Sequence, residues 1–255
     1  MKDNIIEFLY PKKAKEFLEE IFPVRAVQNI PDWFKDIKEH NHKKRTIKGC
    51  IPFLDAFTAG YILKMPSDFY INHNYTNKDK KDTAWSFPIK SGDILTELKL
   101  NINNNDAVWH DIDQLGGTKG GCPFVEKNKK LPFYKIQYPF RIKTPPGYSC
   151  LFIPPLNNKD DRFEIFSGIV DTDTYYNYVN FPILLNGDKY PVLETVIERG
   201  TPFAQIIPFK RESWKMSIKE DNLTRAQAEL SVMGRFIHSY KNYFGVKNHG
   251  NKQIY

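Results

Sequence analysis

Two spacings of apolar residues divide this chain. Near the start, "PKKAKEFLEEIF" places Ala14, Phe17, Leu18 and Ile21 three and four residues apart, on one face of a helix with Pro11 at a favoured start. "IPDWFKDIKEH" predicts a second short helix opening at Pro31 and Asp32. "CIPFLDAF" reads as a further helical turn. From Gly60 onward "YILKMPSDFYINHNY" reads as strand, turn and strand. Short β-like segments follow at "TAWSFPIK", "ILTELKLNI" and "AVWHDI", then a loop over residues 113–131. A dense series comes next: "FYKIQYPFRIKT", "GYSCLFIPPL", "RFEIFSGIVD", "YVNFPILLN", "PVLETVIER" and "PFAQIIPFKR". Pro, Gly and Asn separate these segments and no helix does, so a parallel α/β sheet is not expected. The predicted fold is mainly β, an antiparallel sandwich or barrel, jelly-roll-like in form. Towards the end, Leu223, Ala226, Leu230, Met233, Ile237 and Tyr240 line one face of a predicted amphipathic helix. The expected organisation is a helical, irregular extension over 1–50, a β-rich core over 51–218, and a helix with its tail over 219–255.

Composition changes this picture little. Apolar residues make up 41% and aromatic ones 15%, enough for a core whose bulk is Phe and Tyr. No apolar run is long enough to span a bilayer, and the first residues lack the apolar stretch of a signal peptide. The three cysteines, Cys50, Cys122 and Cys150, have no metal-like spacing and read as reduced thiols. A net charge of +7 raises nucleic-acid binding. The lysines, however, sit in scattered runs such as "PKKAK", "HKKR", "KDKKD" and "EKNKK", which read as solvated loops rather than one basic stripe.

Three motifs follow one another between Phe140 and Arg211. "PPGYSCLFIP" is a turn and strand, "GIVDTDTY" a strand and acidic turn, and "ERGTPFAQII" a glycine turn and strand. In that order they resemble signatures of the trimeric dUTPase and dCTP deaminase superfamily, with "TAGYIL" echoing an earlier element. The resemblance implies a β-clip fold and a threefold assembly. It implies Asp171 as a water-activating base, with Asp173 beside it, and Tyr175 as the platform under a deoxyribose. The whole chain is also similar to an uncharacterised family met in bacteriophages and some bacteria, in which the "IKTP", "GYS", "GIVDTDTY", "NFP" and "IPFKR" elements recur. That likeness brings no activity with it.

The residues depart from what polyphosphate hydrolysis needs, namely a positioned nucleophile and donors for the phosphate oxygens. "DTDTY" has one residue too many between acid and tyrosine, and on a strand such a shift reverses the face. "PPLN" stands where arginine, serine and glycine are expected, and Ile62 stands where an acid is expected. Asp171 and Asp173 are therefore read first as acids closing a turn by accepting backbone amides. "WHDIDQ" offers His110, Asp111 and Asp113 as candidate metal ligands, but on a strand the histidine faces away from both acids. The glycines of "GGTKGGCP" lack the run and the helix that a phosphate cradle requires. The expectation is a virus-encoded, non-catalytic assembly or protein-binding module without a cofactor. It would associate with itself, as a trimer first, or with other viral proteins, in the host cytoplasm or the virion and not at a membrane. The alternative is a nucleotide- or anion-binding enzyme or sensor, with magnesium only in that case. Its ligand would be held by Lys143, Tyr176, Tyr178, Arg199 and Lys210.

Overall fold

Chains rich in aromatic and β-branched residues and interrupted by Pro, Gly and Asn form many short strands. The structure is a computed structural model and describes residues 4–41, 44–74, 85–88, 109–110, 123–127 and 133–220. In chain order the first elements are β1 (Glu7–Leu9), α1 (Lys15–Leu18, with 3-10 turns on both sides), β2 (Val24–Arg25), α2 (Asp32–Lys35), β3 (His40–Asn41), β4 (Lys44–Arg45) and α3 (Ile51–Thr58). Then come β5 (Tyr61–Lys64), β6 (Phe69–Asn74), β7 (Trp85–Pro88), β8 (Trp109–His110), α4 (Pro123–Lys127), β9 (Phe133–Gln137), β10 (Arg141–Lys143) and β11 (Tyr148–Ile153). The last are β12 (Phe163–Ile165), β13 (Gly168–Val170), β14 (Asn180–Leu185), β15 (Val192–Ile197) and β16 (Pro202–Lys210). The fold is mainly β with short N-terminal helices, as the spacing predicts.

The described strands form a five-stranded sheet in the order β13-β11-β16-β5-β2, a four-stranded sheet β12-β14-β9-β8 and a three-stranded sheet β15-β6-β7, with the pairs β1-β10 and β3-β4. Their pairings are antiparallel. Contacts divide the chain into two units, Met1–Asn29 with Phe57–Arg211, and Ile30–Ala56 with Glu212–Tyr255. In the second unit Phe34 lies against Trp33 and Phe53, with ring centroids 5.8 and 5.9 Å away.

The first unit holds the principal core. Phe152 of β11, Phe181 of β14 and Phe203 of β16 come from two sheets and meet edge to face, 5.5 and 5.2 Å apart. Tyr138 and Phe140, 5.1 Å apart, extend the cluster. Ala14, Leu18 and Ile21 close it from the N-terminal segment, all fully buried. Arg199 fastens that segment to the β unit. Its guanidinium lies 4.1 Å over the Phe17 ring and donates to the carbonyls of Phe17 and Pro66 and to Glu20.

Two segments that read as single strands are broken. "FYKIQYPFRIKT" becomes β9 and β10 in different sheets, because Pro139 has no N–H for a ladder while Tyr138 donates to the Val179 carbonyl. "RFEIFSGIVD" likewise becomes β12 and β13 in different sheets. Inside the predicted loop over 113–131, residues 123–127 form α4, opening at Pro123, where a fixed φ suits a first helical position. The predicted strand "ILTELKLNI" and the amphipathic helix over 223–245 lie outside the described residues. No helix among the described residues is long and apolar enough to cross a membrane.

β16 is buried between β11 and β5, and its backbone comes very close to Gly60. A Cβ there would lie 1.8 Å from the Ile206 carbonyl oxygen, and Gly60 has a φ of +68°. Gly147 also has positive φ, +85°, but open space around it. Gly60→Ala is therefore expected to cost about 3 kcal/mol or more, against about 1 kcal/mol for Gly147→Ala. Urea unfolding midpoints of the two variants measure the difference, and equal losses would contradict the close packing at Gly60.

Candidate functional site

The turn Pro145–Tyr148 is closed by Tyr148 N–H donating to the Pro145 carbonyl at 3.2 Å, with Gly147 supplying the positive φ that a type II turn requires. β11 leaves this turn between two neighbours, with Cys150 opposite Val170 of β13 and Tyr148 opposite Lys210 of β16. Register alone therefore brings Gly147–Ser149, Asp171–Asp173 and Arg211 to one end of the sheet. Arg211 N–H extends the ladder to the Gly147 carbonyl at 2.8 Å. The Asp171 carbonyl accepts from the Thr174 and Tyr175 amides, which turns the chain after β13.

Side chains alternate through "DTD". Thr172 points inward, 1% exposed, 2.7 Å from the Thr144 hydroxyl and 3.3 Å from Cys150 Sγ. Asp173 faces Arg211, which donates to its two oxygens at 2.8 and 2.5 Å, and Gly147 N–H donates to Oδ2 at 2.8 Å. Such a two-pronged pair is both strong and directional. Asp171 accepts the Ser149 hydroxyl at 2.6 Å and lies 3.2 Å from Arg211 Nη1. Arg211 donates in addition to Ser149 Oγ at 2.9 Å and the Tyr148 carbonyl at 3.2 Å. The Arg211 side chain, then the Gly147 amide, hold the Asp173 carboxyl at about 2, below its ordinary 3.8. Burial pushes the Cys150 thiol up to about 11, so at neutral pH it is a packed thiol and not a nucleophile.

Of the residues singled out in the sequence, the structure gathers Asp171 and Asp173 and places Tyr175 beside them, 38% exposed, its hydroxyl donating to the Tyr178 carbonyl at 3.4 Å. Tyr176 is 71% exposed and Tyr178 half-buried on the same turn. The other candidate ligand groups are dispersed. Lys143 pairs with Glu7 at 3.7 Å across β1-β10, Arg199 is held by the N-terminal segment, and Lys210 ends β16 opposite Tyr148. His110 lies on β8, paired with Phe133, while Asp111 and Asp113 lie outside the described residues. Among the described residues no group of three or more His, Cys, Asp and Glu is placed to hold a metal ion.

No protein-family model matches the chain, and none of the curated proteins matches it. What the clasp of Arg211, Asp171, Asp173, Ser149 and the Gly147 amide does therefore rests on its own chemistry. Sequence reasoning missed the side-chain partners of the acids, Ser149 and above all Arg211. Antiparallel register was the signal, since a residue just beyond β16 must come alongside the turn that precedes β11.

Two further features lie elsewhere in the same unit. "PPLN" forms the wall of an open groove of about 440 Å3 lined by Ile153, Pro154, Pro155, Leu156, Lys159 and Ser167, an apolar surface with a single cation. After it, Arg162 grips Asp160 at 2.6 Å and Thr195 at 2.9 Å, while Asp161 takes Lys189 and the Tyr190 hydroxyl. Each of these acids has a partner within the fold.

A depressed carboxyl pKa stabilises the folded state above the ordinary value, and that contribution disappears as pH falls through the folded value. The Asp173 pairing should thus contribute above about pH 4 and be lost between about pH 4 and 2. Asp173→Asn is expected to lower Tm at pH 7 and to flatten its fall over that window, as read by thermal melts across pH. A variant whose acid profile matches the parent would show that Asp173 is not held in this way. Thr172→Val, which removes the buried hydroxyl shared with Thr144, is expected to cost about 1–2 kcal/mol in urea unfolding.

Proposed function

We propose that this chain is a non-catalytic assembly or protein-binding module that works as an oligomer of copies. In this reading the β unit is a sandwich or barrel of β-clip type, and the segment over 223–245 is an amphipathic helix serving the assembly. Support for the sandwich comes from the single core that collects side chains of β6, β9, β11, β14 and β16. The resemblance to a phage-associated family makes the protein virus-encoded in this proposal, carried in the particle or acting inside the host cell alongside other viral proteins.

One observation carries the non-catalytic part: both acids of "GIVDTDTY" are engaged by Arg211, Ser149 and the Gly147 amide. A general base needs a lone pair ready for a proton near neutral pH; Asp173, its carboxyl held at about 2 by Arg211, is a weak one, and the Asp171 lone pairs already accept the Ser149 hydroxyl and face Arg211. The groove at Pro154–Leu156 adds to this, because its walls are mainly apolar and its lysine, Lys159, pairs with Glu164 at 2.9 Å rather than standing ready for phosphate oxygens.

The competing reading is a nucleotide- or anion-binding enzyme or sensor, and a thermal-shift series with millimolar dUTP and dCTP, with and without magnesium, separates the two. A ligand that binds only the folded state must raise its stability by mass action. The expected result is no rise in Tm and no release of pyrophosphate. A rise of several degrees with any of these nucleotides would favour the competing reading.

A further inference from the structure

The chain beyond β16 carries a pattern that the clasp does not use. Residues Glu212–Glu220 continue without helix or strand, and all are exposed. Trp214, Met216 and Ile218 recur at every second position, interleaved with Lys215, Ser217 and Lys219. In an extended chain such alternation puts the three apolar groups on one face and the polar ones on the other, the pattern of a half-buried strand. Yet Trp214 and Met216 are 88% exposed and Ile218 87%. Adjoining apolar side chains of this size mark a contact surface when they face water together.

A complementary acceptor lies in the β unit. β13 is the edge of the five-stranded sheet among the described strands, and its Ile169 is 64% exposed. An open edge with an apolar side chain is a template for another strand. Beside it lies the groove of Ile153, Pro154, Pro155 and Leu156, with Ser167 directly preceding β13. Lys210 lies opposite Tyr148 and Gln205 opposite Ile153, so the groove sits at the other end of β11 from the point where β16 ends. That separation is about 17 Å along the strand. The root of the segment is meanwhile fixed, because Arg211 is held by Asp173, Ser149 and the Gly147 carbonyl.

We infer that Glu212–Glu220 is an exchange arm: in the assembly, the arm of one copy docks along β13 of a second copy, with Trp214 seated in the groove at Ile153–Leu156. This rests on the assembly reading above. Extended, the arm spans about 30 Å, enough to cross a subunit boundary. Donor and acceptor differ but occur on every copy, so a head-to-tail ring satisfies all of them, whereas an unrelated partner would leave either arm or edge unmatched. The clasp then has a purpose in the assembly. It holds Arg211, the residue that precedes the arm, to the Gly147 turn and to Asp173.

The test uses the full chain at tens of micromolar, with light scattering coupled to size exclusion and a photo-crosslinking benzoylphenylalanine in place of Trp214. The expected result is a discrete oligomer for the parent and a monomer with an unchanged circular dichroism spectrum for the triple variant Trp214→Ser, Met216→Ser, Ile218→Ser. In a mixture of isotope-labelled and unlabelled copies, crosslinks from position 214 should join different copies and fall within residues 153–169. A triple variant as oligomeric as the parent, or crosslinks confined to one copy or to other surfaces, overturns the arm and leaves the assembly reading standing. A monomeric parent overturns both.

Discussion

The close passage of β16 over Gly60 sets the terms for the rest of the β unit. With no side chain at that position, the strand can lie between β5 and β11 while turning Phe203, Ala204 and Ile206 into the core. The same approach lets the buried Gln205 amide use both its ends, donating to the Ala59 carbonyl at 2.7 Å and accepting from Leu156 N–H at 2.8 Å. A buried amide left half-paired would oppose the fold, and satisfied on both sides it fixes the strand against its neighbours. The "AGY" and "AQII" motifs are therefore two halves of one packing arrangement, joined at the Ile206–Tyr61 pair.

Charge in this unit is used for fastening. Arg199 and Arg211 both sit beside turns, and each directs its fork at groups remote in sequence. Arg199 ties the segment around Phe17–Glu20 to the turn at Pro66. Arg211 ties the Gly147–Ser149 turn to Asp171–Asp173. The guanidinium suits this work because its donors are planar, spread apart and always charged, so one side chain can meet carbonyls and carboxylates from several segments. The consequence reaches function. A carboxylate recruited to hold an arginine is stabilised as an anion, and what strengthens the clasp weakens the acid as a base. At the same sheet end, a hydroxyl layer of Thr144 and Thr172 over Cys150 keeps the buried side of the turn satisfied without adding charge.

Much of the architecture was legible locally. Helical spacing of Ala14, Leu18 and Ile21 marked a buried face, Pro31 marked the start of α2, and Pro-Gly and acidic turns marked the ends of β11 and β13. The strand breaks at Tyr138–Phe140 and at Phe166–Ser167 were not legible, since nothing in those residues alone tells the chain to change sheets. Nor was the clasp. "DTD" announced two acids at a turn, but Arg211 is 38 residues from Asp173 and followed a strand whose partner order was unknown.

By itself, then, the sequence determined the β-rich class, the short helices at the start, the turn chemistry and which side chains were apolar enough to build a core. These depend on preferences expressed within a few residues, through backbone sterics and period. Tertiary structure decided which strands are neighbours, whether Asp173 faces an arginine or water, and that Trp214, Met216 and Ile218 remain outside the core. Those outcomes depend on register and burial between distant segments, where a shift of one residue reverses every face and moves every charge to a different partner.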